Sequence, residues 1–334
     1  MRWGEVPEVP CSIARELAVV GEGWTPVEPV MACGHCGDLL APSATRVRER
    51  FRDPGPGALP RPGSGSASAT RRHRGTLRPM AIADFGLEDK VAIVTGGSRG
   101  IGRSIALGLA EHGAHIALAA RKPEALEETS AAVRATGRRA IGVSTNVRRT
   151  DELRRLVDET VREFGRVDIL VNNAGTTPVF GPVEEIDERA WDVIMNTNVK
   201  APHLLGNFAR EAMLEHGEGG SIINVSSMGG IRASDVIGGY SVSKAALIML
   251  TQVQAKCWGS DGIRVNCIAP GLIKTEFARA LWDNPQINEA SAREAALGRI
   301  GEADEMAGAV VYLASPSASF VTGQTLVLDG GRIL

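Results

Sequence analysis

From Lys90 onward the chain alternates short apolar runs with amphipathic stretches. Lys90-Val-Ala-Ile-Val-Thr95 is continuous and β-branched, the pattern of a strand buried on both faces. SIALGLAEHG (104–113) carries apolar residues at helical spacing, Ile105, Leu107, Leu109 and Ala110, and stops at Gly113. His115-Ile-Ala-Leu-Ala-Ala120 predicts a second strand, 124–136 an amphipathic helix, and 142–147 the end of a third strand. A helix over 150–164 and a strand over 167–171 follow. Farther on, Ser221-Ile-Ile-Asn-Val225 reads as a strand, and Tyr240 opens an apolar helix. Gly323-Gln-Thr-Leu-Val-Leu-Asp329 reads as a buried strand near the terminus. Repeated strand–helix units predict an α/β fold, a doubly wound parallel sheet with helices on both faces. Ligands of such sheets bind beyond the carboxyl ends of the strands.

Residues 1–79 break this pattern. They hold 10 of the 17 prolines and 11 arginines, without a lysine. PGPGALPRPGSGSASAT (54–70) has no period and little to bury, so disorder is expected there. Early acids and prolines argue against a secretory signal, and Glu5, Glu8, Glu16, Glu22 and Glu28 against an organellar transit peptide. Cys33, His35 and Cys36 fall short of a four-ligand zinc set, and no metal is expected. Nine arginines between Arg46 and Arg78 read as a solvated run rather than a grip on nucleic acid. The contrast divides the chain into 1–79, a leader either translated from upstream of a start at Met80 or forming a disordered extension, and 80–334, a single catalytic domain.

Composition narrows the function classes. Hydrophobic residues are 43% and charged residues 23%, as in a globular protein with a real core. A net charge of −2 and 4% aromatics speak against nucleic acid as a partner. Five cysteines are too sparse for a disulfide framework and fit a reducing, cytoplasmic setting. No apolar run approaches the length of a membrane span.

The candidate chemistry lies in the turns. The first strand runs into Thr95-Gly96-Gly97-Ser98-Arg99-Gly100-Ile101-Gly102, and a helix follows. Strand, glycine turn and helix together form a pyrophosphate site, with close backbone approach at the glycines and N–H groups at the helix start. At the end of the second strand, where an acid would bind a ribose 2′-hydroxyl, stand Ala120, Arg121 and Lys122. With Arg99 they suit a 2′-phosphate, so NADP(H) is expected over NAD(H). Tyr240 and Lys244 are four apart on one helix face, and the chain has only two tyrosines. An ammonium there is expected to lower the phenol pKa toward neutrality. Thirteen residues before the tyrosine, Ser227 can donate a hydrogen bond to a carbonyl oxygen held by the phenol.

Residues 86–331 resemble the short-chain dehydrogenase/reductase family. TGGSRGIG (95–102) is similar to its glycine loop, Asn172-Asn173-Ala174-Gly175 to its NNAG turn, and Tyr240 with Lys244 to its YxxxK pair. The resemblance implies a Rossmann-type sheet of about seven strands in one domain. It implies catalysis by Asn198, Ser227, Tyr240 and Lys244, with Asn198 holding a water that joins Lys244 to solvent. Cofactor contacts are implied for Gly96, Ser98, Arg99, Gly100, Ile101, Gly102, Arg121, Lys122, Asn146, Val147, Asn173, Ala174, Gly175, Tyr240, Lys244, Pro270, Gly271, Ile273 and Thr275. Asn146 stands where the family often has Asp, and its amide oxygen can accept the same bond. The stretch 266–282 looks most like the NADP-dependent carbonyl reductase/retinol dehydrogenase branch. The segment after Thr275 reads as a mobile helical lid with Phe277, Leu281 and Trp282 toward the pocket, and Val179, Phe180 and Met228 opposite. The expected activity is carbonyl reduction or the reverse alcohol oxidation on a small molecule. The alternatives are 3-oxoacyl-[acyl-carrier-protein] reductase and a non-catalytic NADP sensor. A homotetramer or homodimer is implied, joined through 190–214, 240–258 and the last strand.

Overall fold

The computed structural model describes residues 83–334. The readings of the leader, its disorder, its start site, its cysteine pair and its arginines, fall outside these residues. Within them the elements run β1 (Val91–Thr95), α1 (Gly100–Glu111), β2 (His115–Ala120), α2 (Pro123–Ala135), β3 (Ala140–Ser144), α3 (Thr150–Phe164) and β4 (Ile169–Asn172). Then come α4 (Glu188–Met195), α5 (Ala201–His216), β5 (Gly220–Val225), α6 (Gly238–Trp258), β6 (Ile263–Pro270) and β7 (Ile273–Lys274). The chain closes with α7 (Arg279–Trp282), α8 (Pro285–Glu294), β8 (Gly301–Glu302), α9 (Ala307–Ala314) and β9 (Thr325–Leu328).

Seven parallel strands form one sheet in the order β3-β2-β1-β4-β5-β6-β9, and β7 pairs with β8 apart from it. The continuous apolar runs behave as expected: every residue of β1 and β4 is buried. Two cores follow from the two faces. One packs Ile105, Leu109 and Val310 of α1 and α9 against the sheet, and the other Leu153, Leu156, Leu205 and Met213 of α3 and α5. The chain winds outward from β1 in both directions, so the β1–β4 boundary is the switch point where a crevice opens.

Two helical segments differ in detail from the sequence pattern. The stretch 190–214 is not one helix. A π-helical turn at Asn196–Lys200 separates α4 from α5. The inward positions of that turn are polar, Thr197 and Asn198, and a polar break in the apolar period does not by itself distinguish a π turn from a regular helical one. The first helix also begins earlier than its apolar run, at Gly100 inside the glycine loop.

A cation anchors the far end of the sheet. Arg264 of β6 donates to the carbonyls of Leu313 (2.7 Å), Ala314 (3.2 Å) and Ser315 (3.3 Å) at the end of α9. Burial pushes its pKa down, yet the guanidinium satisfies carbonyls the helix leaves open and opposes its dipole. Arg264→Met is expected to cost about 2 kcal/mol, since hydrogen bonds from a charged donor are among the stronger ones. Thermal unfolding should show this as a Tm lower by about 4–8 °C.

Candidate active site

The glycine loop is built for close approach. Gly96 has φ +66°, a left-handed conformation, and a Cβ there would sit 2.7 Å from Asn173 Nδ2. At Gly102 a Cβ would meet the Gly96 carbonyl oxygen at 2.3 Å, so any side chain would push helix α1 off the loop. Asn173 holds the turn from below: its amide donates to the carbonyls of Thr95 (2.8 Å) and Gly96 (3.3 Å). The Thr95 hydroxyl accepts from the backbone N–H groups of Asn173 and Ala174. Gly100 faces Thr275, bringing the segment after β6 over the loop. The result is a side-chain-free cradle at the start of a twelve-residue helix that has no acid in its first turn. It fits a dinucleotide pyrophosphate. Arg99, Arg121 and Lys122 are all exposed, and none forms an ion pair among the described residues. Asn146 closes a small turn, its amide oxygen accepting from the Arg148 N–H at 3.2 Å.

The second half of the site gathers at the carboxyl ends of β4 and β5. Ser227 follows β5, Tyr240 and Lys244 lie in the first two turns of α6, and Asn198 sits in the π turn. The Lys244 ammonium is 5.4 Å from the Tyr240 ring centroid. It donates to the Val225 carbonyl at 2.7 Å, and Lys244 is 3% exposed. Ser226 fixes the backbone of the same residue by donating to the Lys244 carbonyl at 2.8 Å. A Cβ on Gly175 would lie 3.5 Å from Lys244 Nζ and 3.6 Å from Asn198 Oδ1, so the NNAG turn ends between these two groups. The Ser227 Oγ accepts from the Gly229 N–H at 3.1 Å, which leaves its own O–H to donate toward the Tyr240 phenol or a bound oxygen beside it.

The electrostatics differ from the expectation. Burial pushes the Tyr240 phenol up to about 12, with only the neighbouring Ser227 hydroxyl acting against it. Burial pushes the Lys244 ammonium down to about 8. Without a ligand, desolvation decides, and the phenol is not brought toward neutrality. Helical spacing gives the pair's proximity but not how deeply each group is buried. The Asn198 amide also differs from a simple water ligand. Its oxygen accepts from the Thr176 N–H (2.9 Å), and its nitrogen donates to the Thr176 carbonyl (3.0 Å) and to Ser243 Oγ (2.9 Å). Both amide hydrogens are therefore taken, and only carbonyl lone pairs remain for a water.

The lid segment is helical, as α7 and α8. Phe277 reaches the site, its ring centroid 6.1 Å from that of Tyr240. Trp282 instead fastens the base of the lid. Its indole N–H donates to the Thr275 carbonyl at 2.7 Å, and Lys274 lies over its ring. Leu281 and Met228 are half-buried, while Phe180 is exposed. Sequence reasoning missed Ser243, which bonds the Asn198 amide. A serine inside an apolar helix, one residue before a candidate lysine, was the available signal.

Comparison with known proteins gives the family. Residues 96–332 match the family model described as enoyl-(acyl carrier protein) reductase. The chain belongs to the short-chain dehydrogenase/reductase family. It is an NAD(P)-dependent oxidoreductase acting on CH–OH groups of small molecules. It is 40% identical over 247 residues to the Bos taurus dehydrogenase/reductase SDR family member 4, covering 74% of this chain and 88% of that protein. A solved short-chain type dehydrogenase/reductase from Mycobacterium marinum is 36% identical with a TM-score of 0.71, covering 75% of this chain and 97% of that one. Similar structures hold either cofactor. Carveol dehydrogenase from Mycobacterium avium, in complex with NAD, is 29% identical with a TM-score of 0.71 over 74% of this chain and 98% of that one. A structure described as a putative NAD(P) dependent gluconate 5-dehydrogenase from Beutenbergia cavernae, with NADP bound at low occupancy, is 33% identical with a TM-score of 0.71 over 75% of this chain and 99% of that one. No helix among the described residues is long and apolar enough to cross a membrane.

Proposed function

We propose that this chain reduces ketones or aldehydes with NADPH, and oxidises the matching alcohols in reverse. The observation that carries the reading is the convergence of Ser227, Tyr240 and the buried Lys244 beside the NNAG turn, one strand from the glycine cradle. When bound, the nicotinamide would supply the hydride for the carbonyl carbon, or take it up in the reverse direction. The protein's own groups manage the charge and the proton. Tyr240, protonated at neutral pH, gives its proton to the carbonyl oxygen as general acid. Ser227 donates a second hydrogen bond to the same oxygen with the O–H that Gly229 leaves free. Lys244 uses one N–H on Val225, and two remain for ribose hydroxyls and for the relay that restores the phenol proton. Gly96, Gly100 and Gly102 admit the pyrophosphate. Pro270, Gly271, Ile273 and Thr275, in the segment that Thr275 brings over Gly100, would hold the nicotinamide end.

The preference for NADP(H) rests on the acid-free end of β2 and the three exposed cations, Arg99, Arg121 and Lys122. It is tested by NADPH and NADH oxidation over a panel of ketones, aldehydes and acyl thioesters. The expected result is turnover of simple carbonyls with a KM for NADPH at least about tenfold below that for NADH, the scale of one lost phosphate pairing. A lower KM for NADH overturns the preference. Turnover confined to acyl thioesters favours the 3-oxoacyl reductase reading, and NADPH binding without any turnover favours a sensor. We further assign the protein to the cytoplasm, as a homotetramer or homodimer. The exposed Val242, Met249 and Val253 along α6 and Leu326 on the edge strand β9 support such an assembly.

A further inference from the structure

The geometry points to Ser243 as a positioning residue that ties the Asn198 amide to the helix carrying Tyr240 and Lys244, so that its hydroxyl sets the register of the proton-handling groups. The inference rests on the carbonyl reductase reading above.

Ser243 is fully buried, three residues after Tyr240 and one before Lys244. Its hydroxyl donates to the Tyr240 carbonyl at 2.7 Å and accepts from Asn198 Nδ2 at 2.9 Å. A helical serine bonding its i−3 carbonyl is by itself a local, satisfied group. The second bond is different, because it crosses from α6 to the π turn between α4 and α5. The Asn198 amide is gripped on its other side by both backbone groups of Thr176, the residue directly after the NNAG turn. That double grip fixes which end is nitrogen. A flipped amide would set donor against donor at the Thr176 N–H. One hydrogen of Nδ2 must therefore point at α6, and Ser243 Oγ is its acceptor there. The chain of bonds thus runs from the NNAG turn through Thr176, Asn198 and Ser243 to the backbone of Tyr240. Three segments that each bring one wall of the site share one hydrogen-bonded joint.

Removing the hydroxyl strands a buried N–H and lets the π turn and α6 shift against each other. The phenol and ammonium move with α6, while the cradle, held by Thr95 and Asn173, does not. Ser243 touches no reacting atom, so its loss acts on the chemical step rather than on ligand affinity. Small displacements of this kind cost up to about 10²-fold in rate.

The test measures kcat, carbonyl KM, NADPH dissociation constant and Tm for wild type, Ser243→Ala, Ser243→Thr, Asn198→Ala and the Ser243→Ala/Asn198→Ala double variant, with Tyr240→Phe as control. Ser243→Ala is expected to lose about 10–100-fold in kcat with NADPH affinity and KM within about twofold. Ser243→Thr, which keeps the hydroxyl, should recover most of that loss. The double variant should be no slower than Asn198→Ala alone, because both substitutions cut one connection. A merely structural serine would instead lower Tm with kcat per folded enzyme unchanged, or give losses that multiply in the double variant; either outcome overturns the inference. If Tyr240→Phe is inactive while Ser243→Ala matches wild type, this inference alone fails. If wild type reduces no carbonyl, or Tyr240→Phe remains active, the functional reading fails and this inference with it.

Discussion

Tyr240→Phe is expected to lower kcat for carbonyl reduction by about 10²–10⁴-fold, the range of a positioned general acid, while leaving the NADPH dissociation constant unchanged. The substitution removes one oxygen from a half-buried ring and leaves its contact with Phe277 in place. A loss in kcat without a loss in cofactor affinity is the signature of a group that acts in the transition state. Stopped-flow NADPH oxidation with fluorescence titration of the cofactor reads both quantities. Retained turnover would mean that the proton comes from elsewhere, and the roles assigned to Ser227 and Lys244 would fall with it.

The same phenol gives a directional pH dependence. Its pKa near 12 leaves it protonated across the physiological range, the form that reduction needs. Alcohol oxidation needs the deprotonated form, so its rate should climb as pH rises from neutral, while reduction should not. Reduction should weaken once Lys244 begins to lose its charge near pH 8, where the ammonium stops favouring the developing phenolate. Initial rates in both directions across pH 6–10 check this: an oxidation rate that falls with pH contradicts the assignment.

Much of this was legible in the sequence for a physical reason. Strands buried on both faces must be apolar throughout, so β1, β2 and β4 announce themselves as runs. The glycine cradle is legible because side chains are sterically impossible at Gly96 and Gly102. Tyr240 and Lys244 are close in space because helical periodicity alone brings them together. What was not legible depends on distant parts of the chain. The π turn at Asn196–Lys200 costs a helix one extra backbone residue, and the polar Thr197 and Asn198 it buries do not name that geometry. Ser243 meets Asn198 across 45 positions, a contact only the packed helices decide. The phenol's raised pKa follows from burial, which a pattern of four residues does not encode.

Lys244→Met is expected to abolish most turnover and yet to stabilise the cofactor-free protein. Lys244 is 3% exposed, and among the described residues no carboxylate is bonded to its ammonium. Its folded pKa of about 8 lies below the ordinary 10.5, so the charged form is disfavoured by about 3 kcal/mol at neutral pH. Methionine has nearly the same shape and no charge to desolvate. It leaves the Val225 carbonyl without its donor, which costs about 1–3 kcal/mol. The net gain is about 1 kcal/mol, or a Tm higher by about 2–4 °C. The sign with pH follows from proton linkage. Between about 8 and 10.5 the unfolded lysine holds a proton that the folded one has released, so wild-type stability rises with pH across that window. The methionine variant has no such rise, and its advantage should shrink from pH 7 to pH 10. Binding of NADPH should reverse the order, because the two ammonium donors that Val225 does not use then find acceptors only in the wild type. Differential scanning calorimetry at both pH values, with and without NADPH, separates these contributions. A methionine variant less stable than wild type at every pH would mean that the lysine holds the fold together, and that its burial is not a cost the fold bears for chemistry.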